Sequence, residues 1–412
     1  MTAKLKLNFH RWSGPILAGT AFCLVVAQPA LASTRTTVVV TGGAKVETAP
    51  FQDAGAPPVG VAASIGVAPT VRFDSGKTRI RLFGSARVDQ YVEHYGNDIA
   101  GSVGLAGTTQ LSSRTSMYGS SSFSSSQRSY RDRLQSLPEP AVEPDLIIPD
   151  DALLPDPSLI GRRVRNNQFS AAGGVSHVIS SRDTVSLGTN YAKGWTDNSS
   201  GGRDFQTYGG SLSYSRRLSS ATSVGLAFSA AKYDYSGGSL GDSTVYSPSL
   251  RLNTRLGGRW TLAASGGASI MRQTVAPGVS NTTTSFSGSL SLCERNSRSG
   301  FCLTASQAVQ PTFLGESRAT TQFAATYSRR VNQNDNLSLS AGYGRTGNSL
   351  QSGLRGQALD TFGGSARYSH RFSRRVNGLA GISYDTVLRS VVPRKDNFTF
   401  NLGVSYVLGD VQ

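Results

Sequence analysis

The C-terminal segment constrains the fold most. From residue 398 to 408, Phe398, Phe400, Leu402, Val404, Tyr406 and Leu408 alternate with Thr399, Asn401, Gly403, Ser405 and Val407. Successive side chains of an extended strand point to opposite faces, so this segment has one large apolar face and one small, mostly polar face. A soluble sheet buries its apolar face against a second layer. A strand in a closed wall can instead turn that face to lipid and the other to water.

The N-terminus places the chain outside the cytoplasm. Lys4, Lys6 and Arg11 form a positive region, residues 16–27 a short apolar region, and Ala30-Leu31-Ala32 a small-x-small site before Ser33. This pattern predicts a secretory signal peptide over 1–32. Thr20-Ala21-Phe22 before Cys23 is not a lipidation signal, and no later run is long and apolar enough for a helical span. An apolar fraction of 38% is low for a packed globular domain, but sufficient for a wall in which half of each strand faces lipid. The formal charge is +16, and residues 33–412 keep +13, because 1–32 hold three cations and no acid. That excess favours an anionic partner or permeant.

Residues 33–76 read as a flexible periplasmic segment. Pro50, Pro57, Pro58 and Pro69 punctuate an Ala/Gly-rich stretch with little to bury, although the β-prone run at 36–41 could pair with another strand or a partner protein. From residue 77 to 412 the pattern is strand, turn, strand, loop. Short turns occur at 112–114, 180–183, 219–221, 257–259, 332–335 and 373–375. The segments between them are long enough to cross a bilayer as tilted strands. About 16 strands are expected, spanning 79–92, 98–110, 114–126, 166–178, 184–196, 204–216, 222–235, 243–255, 259–272, 282–293, 300–312, 317–329, 336–348, 359–372, 376–389 and 396–408. An even count puts both ends and the short turns in the periplasm. Tyr214, Tyr327 and Tyr368 each share the apolar face just before a short turn, as an interfacial girdle would.

The pattern of Asn401, Gly403, Tyr406 and Leu408 resembles the C-terminal insertion signal of bacterial outer-membrane β-barrels, except that Gly409-Asp410-Val411-Gln412 follow it. The chain beyond residue 77 resembles the porin-like outer-membrane β-barrels of Gram-negative bacteria, and in general appearance the exopolysaccharide-associated type. The expected fold class is all-β, a single antiparallel transmembrane barrel in the outer membrane. The resemblance implies outer-membrane lipid and the outer-membrane assembly machinery as partners. Barrels of this size are often trimers, so a homo-oligomer is among the expected states.

Counting by twos from the lipid face predicts an inner wall carrying Arg79, Arg81, Arg87, Arg217, Arg251, Arg255, Arg330, Arg367 and Arg371 among small residues such as Ser211, Ser338 and Ser365. Arginine against lipid costs roughly 2–4 kcal/mol at the midplane, so these side chains belong in water or beside a counter-charge. A basic wall favours anions, either small solutes or an acidic polysaccharide. The same arginines could instead cross-link a filled, non-conducting barrel that partners a periplasmic export machine. Residues 127–165 form a long Pro-rich connection in which Glu139, Glu143, Asp145, Asp150, Asp151 and Asp156 fall in a run, 134–160, without a basic residue, suited either to folding into the lumen or to a surface loop with extracellular contacts. An acidic loop opposite a basic wall resembles the constriction loop of general porins. Cys293 and Cys302 are expected to pair as a structural disulfide at the periplasmic rim.

Catalytic signals are weak. The segment 237–241 matches G-x-S-x-G without the strand-to-helix elbow that chemistry needs. The segment 342–347 matches G-x-G-x-x-G with no helix after it. His94, His177 and His370 have no ligand spacing, so no metal or other cofactor is expected, and no enzymatic role. No basic helix or aromatic-basic face points to nucleic acid.

Overall fold

A computed structural model describes residues 33–52, 59–127, 164–197, 204–236, 242–276, 279–311, 317–349, 358–389 and 394–410. Eighteen strands follow one another: β1 (Ser33–Glu47), β2 (Gly60–Asp74), β3 (Thr78–Tyr91), β4 (Asn97–Gln110), β5 (Thr115–Ser126), β6 (Asn166–Val178), β7 (Asp183–Thr196), β8 (Phe205–Arg217), β9 (Thr222–Tyr235), β10 (Ser243–Leu256), β11 (Trp260–Ala276), β12 (Val279–Arg295), β13 (Ser299–Pro311), β14 (Ser317–Arg330), β15 (Asp335–Ser349), β16 (Leu359–Arg371), β17 (Val376–Arg389) and β18 (Asn397–Gly409). Each pairs antiparallel with the next, and β1 pairs with β18, so one sheet closes on itself. Strands of 12 to 17 residues exceed the 9–11 that a tilted strand needs to span a bilayer.

Alternation decides which face is which. On β18, Phe398, Phe400, Leu402, Val404, Tyr406 and Leu408 are all exposed, and the same holds for Leu212 and Tyr214 on β8 and for Leu226 and Phe228 on β9. A closed barrel with large apolar side chains displayed around its outside is stable only in lipid. The inward positions are mainly Ser, Thr, Gly and Ala.

The structure corrects the strand count and the reading of 33–76. The expected sixteen strands correspond to β3–β18, and the supposed flexible segment supplies β1 and β2. Its prolines do not prevent this. Pro69 lies in β2 where the register to β3 skips from Val67↔Ala86 to Thr70↔Phe83, so the missing N–H falls in a gap of the ladder. Pro248 does the same in β10, between Tyr246↔Ile270 and Ser249↔Gly267. At Gly267 an added Cβ would strike the Pro248 carbonyl oxygen, so glycine is required opposite that proline.

The turns at one end share one device. Ser112, Ser180, Ser219 and Ser373 each accept two backbone N–H bonds through Oγ, at the second and third residues beyond. Asn296 and Asn332 do so through Oδ1. These side-chain caps close four-residue turns without a long loop. Short turns and both termini mark this end as periplasmic.

The opposite end is narrowed from within. β12 pairs with β13 only from Gly288↔Gln307 to Arg295↔Gly300. Beyond that point β13 and β14 lean onto the inner faces of β9 and β10: Tyr233 donates to the Val309 carbonyl at 3.3 Å, and the Ser243 and Ser317 hydroxyls meet at 3.0 Å. Phe205, Tyr233, Tyr235, Val245, Met271 and Val309 pack there as an apolar cluster. Phe51, Ala62, Tyr91 and Tyr95 form a second one near the β1–β2 connection.

Candidate functional site

The candidate site is the lumen wall. Cross-strand register places Arg79, Arg81, Arg87, Arg217, Arg251, Arg255, Arg330, Arg367 and Arg371 at inward positions, in phase with the small polar residues of their strands. Their depths differ. Arg79, Arg217, Arg255, Arg330 and Arg371 lie at or within one residue of the periplasmic strand ends, so they ring the mouth. Arg81, Arg251 and Arg367 lie three to five residues inside. Small residues stand opposite these three: Ala106 beside Arg81, Gly225 and Ser265 beside Arg251, Ser338 and Gly381 beside Arg367. Arg251 and Arg367 are exposed, while the Arg81 guanidinium lies over the Phe83 ring and has Arg72 on its other side.

A row of like charges escaped the sequence reading. Arg35 on β1 is directly opposite Arg72 on β2, which is directly opposite Arg81 on β3. All three point inward near the periplasmic mouth. Like charges directly opposite one another destabilise a sheet, and an anion between them reverses the sign. One rung nearer the mouth, Asp74 pairs with Arg79 at 3.5 Å.

Arg87 belongs to a different environment. Its Nε lies 3.3 Å from Asp89, whose other contacts are Lys45 Nζ at 2.5 Å and the Ser64 hydroxyl at 2.7 Å. Lys45 also lies 3.5 Å from Glu47, and Glu47 accepts hydrogen bonds from the Tyr91 and Thr399 hydroxyls. Glu47 and Asp89 are almost fully buried. This network joins β18, β1, β2 and β3, so it fastens the barrel where its first and last strands meet. Asp98 stands opposite Asp89 across β3–β4 and is equally buried. Beside Arg87 is a cavity of about 360 Å³ whose lining includes Thr41, Ser85, Ser102, Ser124, Asn166 and Gln168, so hydroxyls and two side-chain amides share it with one guanidinium.

On β18, Asn401 and Gly403 point inward while Tyr406 and Leu408 point outward, and the strand is paired on both sides, with β17 and β1. Cys293 and Cys302 are directly opposed on β12 and β13 and are disulfide-bonded at the periplasmic end. Two of the expected girdle tyrosines carry acid partners at the periplasmic boundary: Tyr214 donates to Asp183 at 2.6 Å and Tyr368 to Asp335 at 2.5 Å. Glu139, Glu143, Asp145, Asp150, Asp151 and Asp156 lie outside the described residues, as do most of 127–165 and the 237–241 motif. The 342–347 motif lies within β15. His94 sits in the β3–β4 turn at φ +66°, and His177 and His370 point outward from β6 and β16. Among the described residues, no three metal-ligating side chains gather into one group, and no helix is long and apolar enough to cross a membrane.

No protein-family profile and no curated protein matches the sequence. Several solved structures share the architecture at low identity. Pseudomonas aeruginosa OccK2 (OpdF) in complex with glucuronate is 11% identical, with 92% of this chain and 98% of that chain covered and a TM-score of 0.46. The outer membrane protein OpdK of the same species is 13% identical, covering 92% and 99%, with a TM-score of 0.47. The FrpB iron transporter of Neisseria meningitidis is 9% identical, covering 91% and 83%, with a TM-score of 0.45. Likeness at this level does not carry an activity from one barrel to another. The closed sheet and its exposed apolar wall establish the chain as an antiparallel β-barrel of 18 strands built for the outer membrane.

Proposed function

We propose that the barrel is a porin-like outer-membrane channel for small anionic solutes or an acidic polysaccharide. The observation that carries this reading is the inward placement of Arg81, Arg251 and Arg367, the last two between small residues on both neighbouring strands, inside a ring of further arginines at the periplasmic mouth. In a low-dielectric wall these charges raise the local concentration of anions and repel cations. The described residues of this wall are arginines spaced by small and hydroxyl side chains, an arrangement suited to passing a solute.

The acids of 134–160 act in this reading as a constriction opposite the basic wall. Single-channel recording of the refolded protein in planar bilayers tests it. Discrete openings are expected, with larger unitary conductance after deletion of 134–160. A barrel silent in both forms contradicts the channel.

A second reading is a non-conducting barrel that serves an assembly in the periplasm. It draws on the outer end, where β13 and β14 lean inward and Ser317, Thr320 and Met271 are buried. The same deletion separates the two readings.

A further inference from the structure

Charge is not spread evenly along the barrel axis. The periplasmic turns, Asp410 and the last three residues of each strand at that end hold seventeen lysines and arginines against five acids. That is a net +12 out of the +13 carried by residues 33–412, so everything else in those residues sums to +1. The asymmetry belongs to one face of the molecule.

The seventeen cations divide by direction. Seven sit on turns: Lys77, Arg114, Arg182, Arg259, Arg298 and the Arg374–Arg375 pair, all exposed. Eight more, at strand ends, point into the mouth, among them Arg35 and Arg72. Only Arg216 and Arg329 point outward toward lipid headgroups. A surface meant for lipid phosphates would show the opposite division. The turn cations are also distributed around the circumference, in six of the eight short turns. With 18 strands at a spacing of about 4.8 Å and a tilt of about 40°, that ring is roughly 35 Å across. Further arginines stand deeper on separate strands: the Arg35–Arg72–Arg81 row on β1–β3, Arg251 on β10 and Arg367 on β16.

We propose that the periplasmic rim is a binding surface for a flexible polyanion, a linear polymer bearing an anionic group on successive units, with the Arg35–Arg72–Arg81 row as its fixed anchor at the mouth. A flexible chain can touch tips on several turns and still present one end to the lumen, which a rigid acidic protein resting across the ring does not do. The row sets three guanidinium groups on directly opposed positions of adjacent strands, a spacing that a carboxylate or phosphate can bridge. The surface also sets a direction: a polyanion meets this barrel from the periplasm, since among the described residues the outer end has no comparable excess of cations. Binding at the rim stands independently of conduction, and only the direction of traffic rests on the channel reading.

The test is binding of fluorescently labelled polygalacturonate to the full chain in non-ionic detergent, with neutral dextran as the control polymer. Saturable binding of polygalacturonate alone is expected, weakening by roughly tenfold or more between about 50 and about 300 mM salt as released counterions are paid back. The tip variant K77S/R114S/R182S/R298S/R374S/R375S is expected to lose at least about tenfold in affinity, and R35Q/R72Q a similar factor. Lys232→Ser with Arg272→Ser, both exposed at the outer end, should change nothing. The turn backbones are held by Ser and Asn caps rather than by the arginines, so the tip variant keeps its fold, checked by retained heat-modifiable mobility on gels. No saturable binding at low salt, or equal losses from outer-end and periplasmic variants, overturns the proposal. Binding without any conductance would keep this surface and remove the channel, while conductance without binding would do the reverse.

Discussion

At the residue scale, the charged side chains of the lumen do two different jobs. Glu47 and Asp89 are buried and are neutralised by the largely buried Lys45 and the half-exposed Arg87, and the group lies where β1 closes on β18. Removing one member leaves uncompensated charge in a low dielectric. Lys45→Met is therefore expected to destabilise the barrel by about 3–5 kcal/mol, read as a lower urea midpoint for unfolding from micelles. A variant as stable as the parent would show that the network is solvated. Arg251 and Arg367 are different: small residues surround them, and no acid is their register partner. Arg251→Ser with Arg367→Ser should leave the unfolding midpoint nearly unchanged while lowering anion preference. The phase of the side chains made the inward direction of nine arginines from β3 onward legible in the sequence. Their depth was not legible, nor was the pairing of Arg87 with Asp89, because alternation reports a face and not a cross-strand partner.

At the element scale, the sequence located strands well where no proline interrupts the alternation and poorly where prolines do. β18 shows Phe, Leu, Val and Tyr on its outer face and reads at sight. β1 and β2 carry Val38, Val40, Val61, Ile65 and Val67 on theirs, but Pro50, Pro57, Pro58 and Pro69 with the Ala/Gly residues between them look like a linker. Missing them hid Arg35, Arg72, Lys45 and Glu47, so the closure network and the arginine row escaped together. Their place in the wall reverses the expected outcome of a deletion. Removing 34–60 takes away a strand paired on both sides, and the protein is expected to lose its heat-modifiable barrel band; a surviving barrel would restore the flexible-segment reading. The Cys293–Cys302 bond closes a short connection between strands already joined by their ladder. C293S/C302S should still fold, at a cost of about 2 kcal/mol or less in the unfolding free energy.

At the scale of the whole molecule, the defining property is an axial charge gradient across an insulating wall. Such a pore rectifies at low ionic strength, because one polarity drives anions into it through the charged mouth and the other does not. Currents of opposite polarity are expected to differ by roughly twofold at about 0.1 M salt and to converge at about 1 M, where the Debye length falls to about 3 Å. Equal currents at low salt would mean that the rim charges are neutralised by the protein itself. The measurement that bears most directly on the central claim is the reversal potential of open channels across a KCl gradient. The arginine-lined wall predicts a potential with the sign of chloride diffusion, shrinking toward zero in the R81S/R251S/R367S variant. A potential of the opposite sign, or one indifferent to those three substitutions, would contradict an anion channel.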